Sequence, residues 1–194
     1  LTPLGSDRKD ENLLFALTKR ASGAGCHLAS GEDFAAIPGS PIVYWLSEKM
    51  RGSFSIGKPL SEAANLRQGL ATADNNRFLR QWWEASGRRT AVTCTSREEA
   101  AASGARWFPY NKGGEVRKWY GNQEHVVNWE NDGEEIFDFK PRAVIRNPRT
   151  YFSPSVSWSD ISSGEAAFRR YSSGFIYANT GHSGFGEQAL LDRL

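Results

Sequence analysis

Residues 107–129 read WFPYNKGGEVRKWYGNQEHVVNW. Flat rings (Trp107, Phe108, Tyr110, Trp119, Tyr120, Trp129) alternate there with the cations Lys112, Arg117 and Lys118, around the pair Gly113–Gly114. Cations of this kind grip phosphates, and the grip weakens with salt because binding releases counterions. Asn111 and Gln123 carry amides that can hydrogen-bond base edges. Glycines at 113 and 114 allow main chain to approach a nucleic-acid backbone closely. An ordinary hairpin, with its rings packed inward and its cations in water, is the competing account of the same residues.

A second basic set lies downstream, at Arg142, Arg146 and Arg149, followed by Arg169 and Arg170. Counted along the chain, residues 101–139 carry four basic and seven acidic side chains, and residues 140–170 carry six and two. The second segment is therefore the better electrostatic partner for a polyanion. The first can serve only if its cations are kept apart from the acidic run at 130–138. A net charge of +2 over 194 residues means that any nucleic-acid surface must be local.

Other chemistries find little support. Walker, GxSxG and HExxH patterns are absent. GHSGFGEQ, from 181, lacks the preceding strand and following helix of a cofactor loop. His125 and His182 among many serines do not by themselves define a triad, and NPRT at 147–150 reads as a turn. Cys26 and Cys94 are far apart and no histidines cluster, so neither a zinc site nor a disulfide framework is expected. No apolar run approaches the ~18 residues of a membrane span, and no signal-peptide core opens the chain. A cytoplasmic protein with reduced thiols is expected. The first residue is Leu1 rather than methionine, as expected of a segment of a longer protein.

These residues need elements to hold them. DENLLFALTKRAS predicts a helix from Asp10, and IPGSPIVYWLSEKMRGSF a second one with Ser40 as N-cap, Pro41 at the first position and Gly52 as stop. Strand-like runs flank an Ala73–Asn76 turn. TAVTC reads as a strand. SREEAAASG reads as a short helix with a Ser96/Glu99 capping box and Gly104 as stop. Residues 105–129 read as strand, Gly–Gly turn, strand, Gly121–Asn122 turn, strand. PRAVIRNPRTYF carries Pro141 and Pro148, which argue for an exposed or edge path. The last third is short strands between Ser/Gly turns. The expected fold is α+β: N-terminal helices in a connector region, 1–66, then a mainly antiparallel β-rich body, 67–194. Trp82, Trp83, Trp107, Trp129 and Trp158 are expected in the core.

Four stretches together resemble one family. IPGSPIVYWLSEKMRGSF, GLATADNNRFLRQWWE, WFPYNKGGEVRKWYGNQEHVVNWENDGEEI and SWSDISSGEAAFRRYSSGFIYANTGHSGF are similar to consecutive landmarks of the PglX family, the adenine-specific DNA methyltransferases of BREX phage-defence systems. Family members more often carry glycine where this chain has Ala73, which puts a left-handed turn there in question. In that family S-adenosylmethionine sits on a Gly-rich loop and the target adenine meets an Asn-Pro-Pro-Tyr loop. Both precede the region resembled, and neither pattern occurs in this chain. The resemblance implies a DNA-reading segment without its own cofactor or catalytic residues, with double-stranded DNA and other proteins of the defence system as partners. Asn111, Lys112, Gly113, Gly114, Arg117, Lys118, Gln123, Arg142, Arg146, Arg149, Arg169 and Arg170 are the DNA-facing candidates. A freestanding nucleic-acid-binding or partner-docking module is the alternative.

Overall fold

The structure is a computed structural model. It describes residues 30–35, 37–43, 46–160 and 166–187, with Leu14 and Thr18. The chain forms two compact units, Leu1–Lys58 and Pro59–Leu194.

In the first unit the helix expected from Asp10 lies outside the described residues, except that Leu14 and Thr18 are helical. The helix expected from Ser40 is shorter. Ser40 has φ +45° and does not cap a helix. The helix is Glu48–Ile56, and its N-cap is Ser47, whose hydroxyl accepts from the Met50 N–H. Gly52 does not stop it; Gly57 does. Both serines are chemically able to cap, but only Ser47 has extended backbone and a side chain aimed at the first turn.

The second unit is built on two four-stranded sheets. One has the order β1-β8-β5-β6, from β1 (Asn65–Arg67), β8 (Gly181–Phe185), β5 (Ser155–Ser159) and β6 (Phe168–Tyr171), all antiparallel. The other has the order β2-β4-β3-β7, from β2 (Leu79–Gln81), β4 (His125–Asn128), β3 (Trp107–Asn111) and β7 (Ile176–Tyr177). Only the β3–β7 pair in it is parallel. The fold is α+β, as expected, with helices preceding the sheets.

Phe78, Phe108, Val127, Trp129, Ile136, Tyr151, Phe152 and Ile176 lie in one buried cluster. Aromatic edges supply much of it: the Phe108–Phe152 and Trp129–Tyr151 rings meet at 5.6 and 5.3 Å. Tyr110 is buried there with its hydroxyl donating to the Leu70 carbonyl, and burial pushes its pKa well up. Cys94 is buried and free.

Local signals fare unevenly. The Ser96 helix forms as expected, Arg97–Ala102, with Ser96 accepting from the Glu99 N–H. The Glu99 carboxylate reaches one residue past the cap, to the Thr95 N–H and hydroxyl. Gly104 follows at φ +64°. TAVTC does not form a strand: a single bridge joins Thr90 to Trp107. Ala73 does adopt the left-handed turn, at φ +59°, and Asp74 next to it caps the helix Asn75–Phe78 by accepting from the Arg77 N–H.

Candidate nucleic-acid interface

The segment 105–129 is not three strands joined by two turns. β3 pairs directly with β4, Trp107 opposite Asn128 and Tyr110 opposite His125. Residues 112–124 leave the sheet as one long loop, and their partners come from far along the chain. Gly113 (φ +78°) lies over Thr180: a Cβ there would sit 2.7 Å from the Thr180 carbonyl oxygen. The Thr180 hydroxyl donates to the Lys112 carbonyl at 2.7 Å, and the Ser159 hydroxyl donates to the Gly114 carbonyl at 2.8 Å. Trp119 is bonded to β6 on both sides of its peptide, its N–H to Phe168 and its carbonyl from Arg170. The Tyr171 hydroxyl lies 3.1 and 3.3 Å from the carbonyls of Gly121 and Asn122. Within the loop, the Asn122 amide donates to the Glu115 carbonyl.

This clamping fixes what the loop exposes. Trp119 (65% exposed) and Tyr120 (72%) point out, unlike the rings of an ordinary hairpin packed inward. Main-chain anchoring makes ring anchoring unnecessary. Trp119 also holds φ +72°, a conformation that costs a bulky side chain of the order of 1–3 kcal/mol. Arg117 and Lys118 are exposed beside it, and Lys112 is half-buried at the loop's start.

Two candidates fall inside the molecule. Asn111 is 1% exposed. Its amide donates to the Ser157 hydroxyl at 2.7 Å and its Oδ1 accepts from the Gly113 N–H at 3.1 Å, so it ties β3 to β5 and seats the glycine pair. Burial keeps the amide away from the surface. Arg169 is also 1% exposed. It faces inward from β6, where its Nη2 donates to Ser159, and the exposed Arg170 faces out. Strand alternation separates the two. Among the described residues the Arg169 Nε and Nη1 have no hydrogen-bond partner. Burial raises the pKa of neighbouring Tyr171, and a hydrogen bond from Arg169 pulls it the other way.

Arg142, Arg146 and Arg149 are all exposed, on the path expected of them. That path is pinned from below: Val144 pairs with Ala71, the Asn147 amide donates to the Gln68 carbonyl, and the Tyr151 hydroxyl donates to the Arg146 carbonyl. Ala71, Thr72, Ala73 and Asn75 also line a cavity of about 320 Å³ whose wall includes Lys112 and Thr180. Three sequence landmarks thus converge there: GLATADNN, YNKGG and YANTG.

The acidic run is occupied elsewhere. Residues 130–138 form a helix that begins with three left-handed residues, Asn131, Asp132 and Gly133. Arg97 pairs with Asp132, Arg89 with Glu130, and Arg77 with Glu135 at 2.8 Å. Arg106 lies 3.8 and 3.7 Å from Glu130 and Glu135. Arginines from other elements therefore offset these carboxylates.

Two tryptophans were misplaced by sequence reasoning. Trp129 is buried, and Trp107 and Trp158 are half-buried, Trp107 between the guanidiniums of Arg80 and Arg106. Trp82 and Trp83, expected in the core, are 60% and 59% exposed and meet edge to face at 5.6 Å. The signal for them was compositional: two adjacent tryptophans cannot both follow one face of a strand, and Arg88 and Arg89 follow closely.

No family model matches the chain. Over 160 residues it is 37% identical to the adenine-specific methyltransferase PglX of Lacticaseibacillus casei (strain Zhang), a match covering 79% of this chain and 13% of that protein. Over 156 residues it is 36% identical to the adenine-specific methyltransferase BrxX of Escherichia coli O9:H4 (strain HS), covering 80% and 12%. The chain is related to a segment of these adenine-specific methyltransferases. The resemblance to PglX read from the four motifs is borne out, and the chain spans about an eighth of the length of these relatives. Among the described residues no helix is long and apolar enough to cross a membrane.

Proposed function

We propose that the chain is the DNA-recognition part of a site-specific adenine-N6 DNA methyltransferase of a BREX phage-defence system. The recognition body, expected from residue 67, begins with the second unit at Pro59 because β1 belongs to its sheet, and the residues before it connect it to the remainder of the enzyme. S-adenosylmethionine and the catalytic loop belong to that remainder, and double-stranded DNA is the substrate. An adenine inside a duplex cannot meet a methyl donor until it is turned out of the stack. A part that grips the backbone on either side must therefore accompany the part that transfers the methyl group.

The carrying observation is the 112–122 loop. Its main chain is clamped to β6 and to Thr180, while Arg117, Lys118, Trp119 and Tyr120 stand in solvent. A stability role does not explain rings left in water on a strained backbone. Arg142, Arg146 and Arg149 extend the cationic surface and grip phosphate, since they lie on an irregular segment rather than on a helix that could enter a groove.

The test is duplex binding by the 194-residue chain at 50 and 200 mM salt. Binding that weakens steeply with salt, with a slope set by roughly 0.9 per phosphate contacted, is expected. Absence of duplex binding at 50 mM salt contradicts the reading and favours a partner-docking module.

A further inference from the structure

A second cavity opens beside Trp82, at the end of the loop. Its volume is about 300 Å³, at the lower end of small-molecule sites and suited to one ring system rather than a chain. Trp82, Pro109, Val126 and Phe175 give it apolar walls; its polar side chains are Gln123, His125 and Thr90, whose hydroxyl is already committed to the Ser86 carbonyl. Neither the Gln123 amide nor the His125 ring makes a hydrogen bond among the described residues. Both are half-buried, and neither is among the buried polar groups cut off from water, so both stay open to a ligand entering the cavity. Trp82 stands at the rim with most of its ring in solvent, its backbone N–H held by the Glu124 carbonyl at 2.8 Å. Trp83 abuts it edge to face, which limits its swing.

We propose that this cavity receives a single extrahelical nucleobase of the bound DNA, stacked on Trp82 and hydrogen-bonded along its edge by Gln123 and His125. The proposal rests on the DNA-recognition reading above and adds to it a site for one base outside the stack. The chemistry is matched part by part. A base has two apolar faces and a polar edge, and the cavity has apolar walls with two open polar groups on one side. Gln123 offers a donor and an acceptor, the combination that pairs with a base edge. Burial, and then Lys112, push the His125 pKa down against a smaller opposing pull from Glu124. At neutral pH the ring is therefore uncharged and also offers one donor and one acceptor. Stacking on an indole tolerates any base, so base preference comes from the Gln123 side. Lys112, at the start of the same loop, supplies positive charge for a neighbouring phosphate.

The experiment compares two duplexes of one sequence, one fully paired and one with a single unpaired extrahelical base, titrated with the 194-residue chain at low salt. At least a roughly fivefold preference for the unpaired-base duplex is expected. Trp82→Ala should remove that preference. Trp82 is largely exposed, so the variant should fold, which the melting temperature checks. Gln123→Leu should flatten the ranking among the four possible extrahelical bases. Equal binding of both duplexes by the unaltered chain overturns the cavity proposal and leaves the DNA-recognition reading standing. A preference that survives Trp82→Ala also overturns it, because the base is then held elsewhere. Failure to bind either duplex removes the DNA-recognition reading and the cavity proposal with it.

Discussion

Around the acidic helix Glu130–Asp138, Arg77, Arg89, Arg97 and Arg106 turn toward carboxylates. At Arg117 and along 142–149 the pattern differs. The Glu115 carboxylate is 3.9 Å from Arg117, in water on both sides, and Arg146 and Arg149 make no ion pair among the described residues. Both regions are rich in arginine, and composition does not separate them. The difference is that the first set links elements distant in sequence, whereas the second is carried outward on backbone that is already fixed by other bonds. An arginine that joins elements contributes to stability. An arginine on an independently anchored loop leaves its charge available for a ligand.

Substitutions can break this contrast. The largest effect is expected at Asp132, which holds Arg97 and also accepts from the Trp129 indole N–H at 3.1 Å. Asp132→Ala leaves a buried indole N–H without a partner and should cost about 2–3 kcal/mol in urea unfolding. Duplex affinity of the folded fraction should not change; a parallel loss of affinity would mean that the acidic cluster shapes the DNA surface after all. Gly113→Ala comes next. Its φ of +78° and the nearness of the Thr180 carbonyl oppose any side chain, so about 1–2 kcal/mol should be lost. Here affinity should fall too, because the loop loses its seat. Arg149→Ala should weaken target and non-target duplexes alike, reduce the salt slope by about one unit and leave unfolding unchanged. A change in the methylated sequence of the full-length enzyme, with general affinity intact, would contradict a phosphate role. The smallest effect is expected for Arg77→Ala. Its pair with Glu135 is nearly half exposed, and its guanidinium also lies 5.0 Å from the centres of the Phe78 and Phe139 rings, so about 0.5–1 kcal/mol should be lost, with no change in binding.

What the sequence disclosed follows from how far each signal reaches. The Ser96 cap, the Gly104 stop and the Asp74 turn are decided within four residues and were legible. Ser40 and Ser47 show the limit even there, since both residue types fit and only backbone direction chooses between them. The 112–124 loop was misread as strands because its periodicity is strand-like, while Thr180, Ser159, Phe168 and Tyr171, which hold it, lie far downstream. The same distance hid the burial of Asn111, whose partner is Ser157. Arg169 and Arg170 are equal candidates by sequence. Strand alternation requires one of them to face inward, but which one depends on the register of β6 against β5, which pairs Ser157 with Arg169. The exposure of Trp82 and Trp83 was missed because large apolar area predicts burial in general, and functional surfaces are where that rule fails.

On the proposed DNA-recognition role, the 112–122 loop is built for a ligand and not for stability. Duplex affinity and melting temperature, measured side by side for the chain and for its Lys112→Ala/Arg117→Ala double variant, test it most directly. Affinity should fall several-fold, the salt slope should drop by about two units, and the melting temperature should stay within about 2 °C. A melting temperature lowered well beyond that, with undiminished duplex affinity in the folded protein, would show that these cations serve the fold and that the DNA surface lies elsewhere.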